Sequence, residues 1–267
     1  MFDSGFGGLT VARAVIDLLP DEDLVYLGDT DRYPYGSRPL SQVREYAEQI
    51  TRHLVEQRGV KVVVVACNTA AAAALDHLRA LVDVPVLGVI EPGVRSLVMA
   101  SEAGRVGVIG TVGTIGSGAY QQAVARVDPT IDLTCAACPG FVEFVERGET
   151  ESDQVRVLAE RLLAPVREAK VDALLLGCTH YPFLARTISD AVGRDVTLVS
   201  SADETGFEIR HLLEGGALAA PPRDRPARHV FCSTGDVTWF RDLGRRLLGP
   251  ELDHVEAVVL EGGSERG

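Results

Sequence analysis

Lys61-Val-Val-Val-Val-Ala-Cys67-Asn-Thr and Asp172-Ala-Leu-Leu-Leu-Gly-Cys178-Thr-His share one plan. Each is an apolar run of strand length, then a small residue, then cysteine, then a polar pair leading into a helical segment. Continuous apolar runs of this kind suit strands buried on both faces of a parallel sheet. A second echo pairs Asp3-Ser4-Gly5-Phe6-Gly7-Gly8 with Gly110-Thr111-Val112-Gly113-Thr114, both Gly-rich turns carrying hydroxyls or a carboxylate. Each half of the chain therefore offers one Gly-rich turn and one cysteine at a strand end. Two such halves facing each other would set Cys67 and Cys178 on opposite sides of a cleft.

Outward from these stretches, short β-branched runs alternate with longer helical segments, the pattern of a parallel α/β sheet. Strands are expected at Leu24–Leu27, Val60–Ala66, Pro85–Ile90, Val106–Ile109, Ala173–Leu176, Thr197–Val199 and His229–Cys232. Helices are expected at Leu9–Leu19, Leu40–Arg58, Thr69–Leu81 and Ser152–Ala169, with the Ala70–Ala74 run read as a small-residue helix packed close on a sheet. The Pro- and Arg-rich stretch Ala219–Arg228 reads as a loop, and Glu261–Gly267 as a disordered tail.

The chain has 267 residues, 46% hydrophobic and 24% charged, which fits one large or two modest globular domains. Its net charge of −12 argues against a nucleic-acid or anionic-membrane partner. The longest apolar runs are strand-length, so no membrane span is expected, and the first residues carry no basic region followed by an apolar stretch, so no secretion signal is expected either. Five cysteines in no bridging pattern point to free thiols in a reducing, cytoplasmic compartment. The two lysines, Lys61 and Lys170, sit just before apolar strands, at the end away from the cysteines, which argues against a Schiff-base cofactor enzyme.

In open parallel sheets, ligands bind beyond the C-terminal strand ends, where backbone N–H groups and helix dipoles favour thiolates and carboxylates. Cys67 and Cys178 occupy that position. A lone cysteine there would read as a small buried hydrophobe; two at equivalent places in an internal echo read as functional. His180, two residues past Cys178, could be its proton partner, and Asp3 could poise the other thiol; a core histidine and a turn aspartate are the bland alternatives. Ser4, Asn68, Thr69, Thr111, Thr114 and Thr179 cluster at the same turns and suit a small polar ligand, or simply cap helices. Gly5-Phe6-Gly7-Gly8 lacks both dinucleotide and P-loop spacing, so no nucleotide is expected. Cys135-Ala-Ala-Cys138 has redox or zinc-knuckle spacing without two further ligands, so no metal is expected, and Cys232 reads as structural.

Together, Asp3-Ser4-Gly5, Pro34-Tyr35-Gly36, Cys67-Asn68-Thr69 and Gly177-Cys178-Thr179-His180-Tyr181-Pro182 resemble the glutamate racemases. Gly28-Asp29-Thr30, Cys138-Pro139 with Phe141-Val142, and Thr234-Gly235-Asp236 extend the resemblance in order over residues 2 to about 248. The histidine after Cys178-Thr179 is similar to the glutamate enzymes rather than the aspartate racemases.

The resemblance implies two α/β domains related by a pseudo-twofold axis, residues 1–93 with 206–267 and residues 94–205, with the site between them. It implies two acid/base thiols, Cys67 and Cys178, tuned by Asp3 and His180. It implies an auxiliary acid at Glu146, with Glu143 as its rival. Ser4, Tyr35, Gly36, Asn68, Thr69, Thr179 and His180 would hold the amino acid. No cofactor, a homodimer and a role in supplying D-glutamate for peptidoglycan are likewise implied. The alternatives are a racemase of aspartate or a hydantoin, a ligand-binding descendant, and a redox protein using Cys135 and Cys138. Chains of this kind carry several strand residues ahead of Asp-Ser-Gly, where this sequence has Met1 and Phe2; Asp3 and Ser4 are therefore expected to be less firmly held.

Overall fold

The structure is a computed structural model that describes residues 1–214, 218 and 225–260. Most of the expected loop before the last strands, and the whole of the expected tail, lie outside the described residues.

The first half runs β1 (Phe2–Asp3), α1 (Leu9–Leu18), β2 (Leu24–Gly28), α2 (Leu40–Arg52), β3 (Val63–Val65), α3 (Asn68–Leu81), β4 (Val86–Gly88) and α4 (Ile90–Ala100). The middle of the chain follows as β5 (Arg105–Gly110), α5 (Val112–Gly116), α6 (Ala119–Val127), β6 (Asp132–Ala137), α7 (Phe141–Arg147), α8 (Asp153–Leu162), α9 (Ala164–Glu168), β7 (Ala173–Gly177), α10 (Ala185–Val192) and β8 (Thr197–Val199). The chain then returns through α11 (Ala202–Glu214), β9 (His229–Ser233), α12 (Val237–Leu248) and β10 (Val255–Ala257).

Two parallel sheets result, ordered β10-β9-β2-β1-β3-β4 and β6-β5-β7-β8. The segment β2-β1-β3-β4 has the same order as the whole second sheet. In that match β1 corresponds to β5, each followed by a Gly-rich turn, and β3 to β7, each followed by a cysteine. The sequence echo is thus an echo of topology, and the fold is α/β with two parallel-sheet domains.

The apolar runs are buried on both faces: Val63, Val65, Ala173, Leu174 and Leu175 are fully inaccessible. Each buried valine or leucine contributes ~1.5–3 kcal/mol of transfer free energy. Along α3, Ala70, Ala71, Ala73 and Ala74 are all buried, and their small size lets the helix lie close to the sheet. The approach leaves no room to spare, since a Cβ on Gly88 would fall 2.8 Å from Leu75 Cδ2.

Some elements differ from expectation. The helix expected over Leu40–Arg58 widens into a π turn at His53–Gln57. The one expected over Ser152–Ala169 breaks at Leu163, where Pro165 removes a donor at the start of α9. The strand expected over Val60–Ala66 shortens to β3, and Ile90 starts α4 rather than ending a strand. Short as it is, β1 lies between β2 and β3, with Phe2 opposite both Leu27 and Val65. Asp3 is only 1% exposed, so the expected looseness at this end is not seen.

Asp172 anchors the turn that opens the second sheet. Its carboxylate accepts from Ser101 Oγ at 2.6 Å and from the N–H groups of Glu102 and Ala103 at 2.8 and 2.6 Å. Partial burial works against the charge, but these donors together hold the carboxyl below its ordinary 3.8. The resulting stability is fully present above that ordinary value and is lost as pH falls through the depressed one. Asp172→Ala is expected to cost ~1–2 kcal/mol at pH 7, allowing for solvent screening. Urea unfolding should show that difference shrinking in acid.

Candidate active site

Residues following the C-terminal strand ends of both sheets close around one cavity of about 20 Å³. Cys67, just past β3, is the N-cap of α3, and Cys178 directly follows β7. Both thiols line the cavity, and both are more than nine-tenths buried. Ser4, Tyr35, Gly36, Asn68, Thr69, Thr111, Thr179 and His180 line it too, so most of the expected ligand-binding residues converge here. Such a volume accommodates a water but no amino acid, so the halves must part to admit a substrate. A larger cavity of about 640 Å³ opens at the opposite strand ends beside Leu24 and Lys61; it contains neither thiol.

Asp3 joins the two halves. Its Oδ1 accepts from the Gly5 N–H at 2.8 Å and Ser4 Oγ at 3.2 Å, while its Oδ2 accepts from Thr179 Oγ1 at 3.1 Å. Burial pushes its carboxyl up against the pull of these donors. Cys67 Sγ lies 3.8 Å from Ser4 Oγ. Burial, with the Asp3 charge adding to it, pushes the Cys67 thiol up to about 12, while N–H groups of Ala70 and Ser4 oppose the rise. Burial raises the Cys178 thiol as well, opposed by the N–H groups of His180 and Tyr181. His180 Nδ1 is 4.0 Å from Cys178 Sγ. Burial lowers the imidazole to about 4, so it is neutral at pH 7. Burial in the closed cleft therefore disfavours both thiolates, and a cation entering it would favour thiolate.

Other expected residues serve indirectly. Thr114 does not line the cavity; its hydroxyl meets those of Thr69 at 3.0 Å and Thr111 at 2.9 Å, a triangle tying α3 to the cap of α5. Tyr35 lines the cavity, but its hydroxyl donates to Asp29. Asp29 also accepts from Arg32 Nε at 2.8 Å and Thr234 Oγ1 at 2.7 Å. Gly235 N–H donates to Thr30 Oγ1 at 2.9 Å, and Asp236 caps α12 through the N–H groups of Thr238 and Trp239. The Gly28-Asp29-Thr30 and Thr234-Gly235-Asp236 motifs thus fasten two loops together beneath Tyr35-Gly36.

Glu146 lies outside the cavity lining on α7, half-buried, whereas Glu143 is exposed. Glu146 Oε1 and Tyr33 Oη are both buried and interact with each other, with no further hydrogen-bond partner for either atom among the described residues. Burial raises the Glu146 carboxyl, and burial together with the Glu146 charge raises the Tyr33 phenol. Sequence reasoning passed over Tyr33, which lines the cavity, and quoted Pro34 and Val142, which line it too, only as motif residues without a role. It also missed Phe6, whose ring meets His180 edge-on at 4.9 Å, and Trp239, 6.1 Å from Phe6. Their neighbours in the quoted motifs were the available signal. Cys135 and Cys138 are free thiols away from this cavity, and no group of three or more His, Cys, Asp or Glu among the described residues could hold a metal ion.

The site is thus built from two parallel-sheet domains, each placing a strand-end cysteine against a shared closed cavity. Comparison with known proteins gives the family. The Asp/Glu/Hydantoin racemase family matches residues 9–205. A glutamate racemase of Acidothermus cellulolyticus is 51% identical over 258 residues, 97% of each chain. The crystal structure of glutamate racemase isoform RacE1 from Bacillus anthracis superposes with a TM-score of 0.91 at 40% identity, covering 97% of this chain and 96% of that one. That of Francisella tularensis glutamate racemase in complex with D-glutamate gives 0.90 at 32% identity, with the same coverage. The chain belongs to the Asp/Glu/hydantoin racemase family, among its glutamate racemases.

Proposed function

We propose that this chain interconverts L- and D-glutamate by moving a proton between Cys67 and Cys178 across the substrate's α-carbon. The observation that carries this reading is that the two strand-end thiols, one from each sheet, line the same closed cavity. The Francisella relative's complex with D-glutamate supports the choice of substrate.

One thiolate takes the α-proton, and the electron pair left behind spreads into the α-carboxylate. The opposite thiol delivers its proton to the other face, so one cysteine ends protonated and the other ionised. The substrate's ammonium supplies the positive charge that favours a thiolate inside the cleft. Closure excludes water and strengthens that field. Asp3 poises Cys67, neutral His180 serves Cys178, and Glu146 is the auxiliary acid. Ser4, Tyr35, Gly36, Asn68, Thr69, Thr111, Thr114 and Thr179 hold the charged ends of the amino acid, directly or through the hydroxyl triangle.

The domains are taken as residues 1–93 with 206–267 and residues 94–205, the first crossing passing through α4, which packs on β7 and β8. The product would be D-glutamate for peptidoglycan, made in the cytoplasm by a homodimer that uses no cofactor. No helix among the described residues is long and apolar enough to cross a membrane.

Incubation with L-glutamate in D2O, without added cofactor, tests the reading. Optical rotation should decay to zero as the α-proton signal disappears. Inertness toward glutamate alongside turnover of aspartate in the same assay would reject the substrate assignment.

A further inference from the structure

Asn68 stands next to Cys67 and lines the cavity. Its amide is held at one end only. Nδ2 lies 2.8 Å from the phenolic oxygen of Tyr120, on α6 in the other half of the molecule. Its Oδ1 is buried with no hydrogen-bond partner among the described residues. A buried amide oxygen left unpaired is costly, so it is retained where a ligand can satisfy it.

Tyr120 is itself firmly placed. It is fully inaccessible and packs on Gly177, the residue before Cys178. A Cβ on Gly177 would meet Tyr120 Cε2 at 3.0 Å and its hydroxyl oxygen at 3.1 Å. The Ile109 carbonyl, at 2.6 Å from that Cβ, and the phenol thus both require glycine here, and the Tyr120 hydroxyl spans from the Cys178 strand end to the residue beside Cys67.

We propose that Tyr120 is a positioning residue that holds the Asn68 amide by its Nδ2 end and so presents Oδ1 to the α-ammonium of the substrate. The chemistry selects that group. A carbonyl oxygen can only accept, and at neutral pH the two carboxylates of glutamate can only accept as well. The ammonium is the one donor the substrate has. Tyr120 thereby lets Asn68 recognise an amino acid rather than a plain dicarboxylate. The inference rests on the placement of Asn68 in the substrate site under the proposed function.

Steady-state racemisation of glutamate by the parent, Tyr120→Phe, Asn68→Ala and the double variant tests it, with glutarate, which lacks the ammonium, as a competitive inhibitor. Tyr120→Phe should raise KM about fivefold to tenfold, the effect of losing one net hydrogen bond, with kcat changed less than about twofold. Its glutarate inhibition constant should stay at the parent value. In the Asn68→Ala background the Tyr120 substitution should add nothing. Weakened glutarate binding in Tyr120→Phe, or penalties that add in the double variant, would overturn the inference by making Tyr120 a packing residue. An unchanged KM in Asn68→Ala would overturn the placement of Asn68 itself, and this inference with it.

Discussion

Replacing either cleft cysteine with serine should reduce racemisation by about a hundredfold to ten-thousandfold, the range spanned by loss of a positioned acid–base group. The isosteric hydroxyl preserves packing, so both variants should fold with near-parental melting temperatures. What the hydroxyl cannot supply is an ionisable group within reach of neutral pH, and racemisation needs one such group on each face. The surviving thiol should still take and return a proton on its own face. Each variant should therefore exchange the α-proton of one enantiomer with D2O faster than it inverts the centre. Because Cys67 and Cys178 come from opposite sheets, the two variants should retain exchange for opposite enantiomers. Retention of the same enantiomer by both would place the two thiols on one face and end the two-thiol reading. Parental racemisation by either variant would remove that cysteine from the chemistry.

What could be read from the sequence was whatever is repeated or continuous. The apolar runs before Cys67 and Cys178 declare buried parallel strands because both faces are covered, and the strand order confirms the echo between them. The edge strands β6 and β10 and the very short β1 were not legible, although the edge strands β4 and β8 were. In β6, Asp132 to Cys135 are only partly buried or exposed, so Asp-Leu-Thr-Cys lacks the apolar signal of an interior strand. β1 is two residues long and owes its place to Leu27 and Val65, 25 and 63 positions further along the chain. Helix α10 is similar: Ala-Arg-Thr-Ile-Ser-Asp-Ala-Val has few strong helix formers, and its form depends on burying Thr187, Ile188, Ala191 and Val192. At the site, residues inside motifs were found, and those that reach it through space were not. Nothing in the spacing of Tyr120 relates it to Asn68, 52 positions earlier, because their contact exists only when the two sheets face each other. Tyr35, read as touching the ligand, has its hydroxyl committed to Asp29, six positions earlier.

Gly7→Ala is expected to lower kcat/KM by about a hundredfold or more while leaving the fold intact. Gly7 lies in the turn between β1 and α1, and its backbone is not in the left-handed region, so alanine brings no conformational penalty there. The obstacle is space. An added Cβ would sit 2.5 Å from Thr179 Oγ1 and 2.6 Å from both Cε1 and Nδ1 of His180. All three atoms belong to the segment following Cys178, on the other side of the cleft. Thr179 cannot yield freely, since its hydroxyl is bound to Asp3, and the His180 ring is wedged against Phe6 and Tyr33. The methyl group can be relieved only by shifting this segment away from β1, which moves Cys178 relative to Cys67. A displacement near 1 Å is enough for a loss on the order of a hundredfold when two groups must flank one carbon. Gly116→Ala is the control: a Cβ there meets nothing within 4 Å, and its activity should match the parent. Stopped-flow or steady-state kinetics on the two variants, beside their melting curves, separates the cases. Activity in Gly7→Ala within threefold of the parent would mean that turnover never brings the halves as close as they stand here.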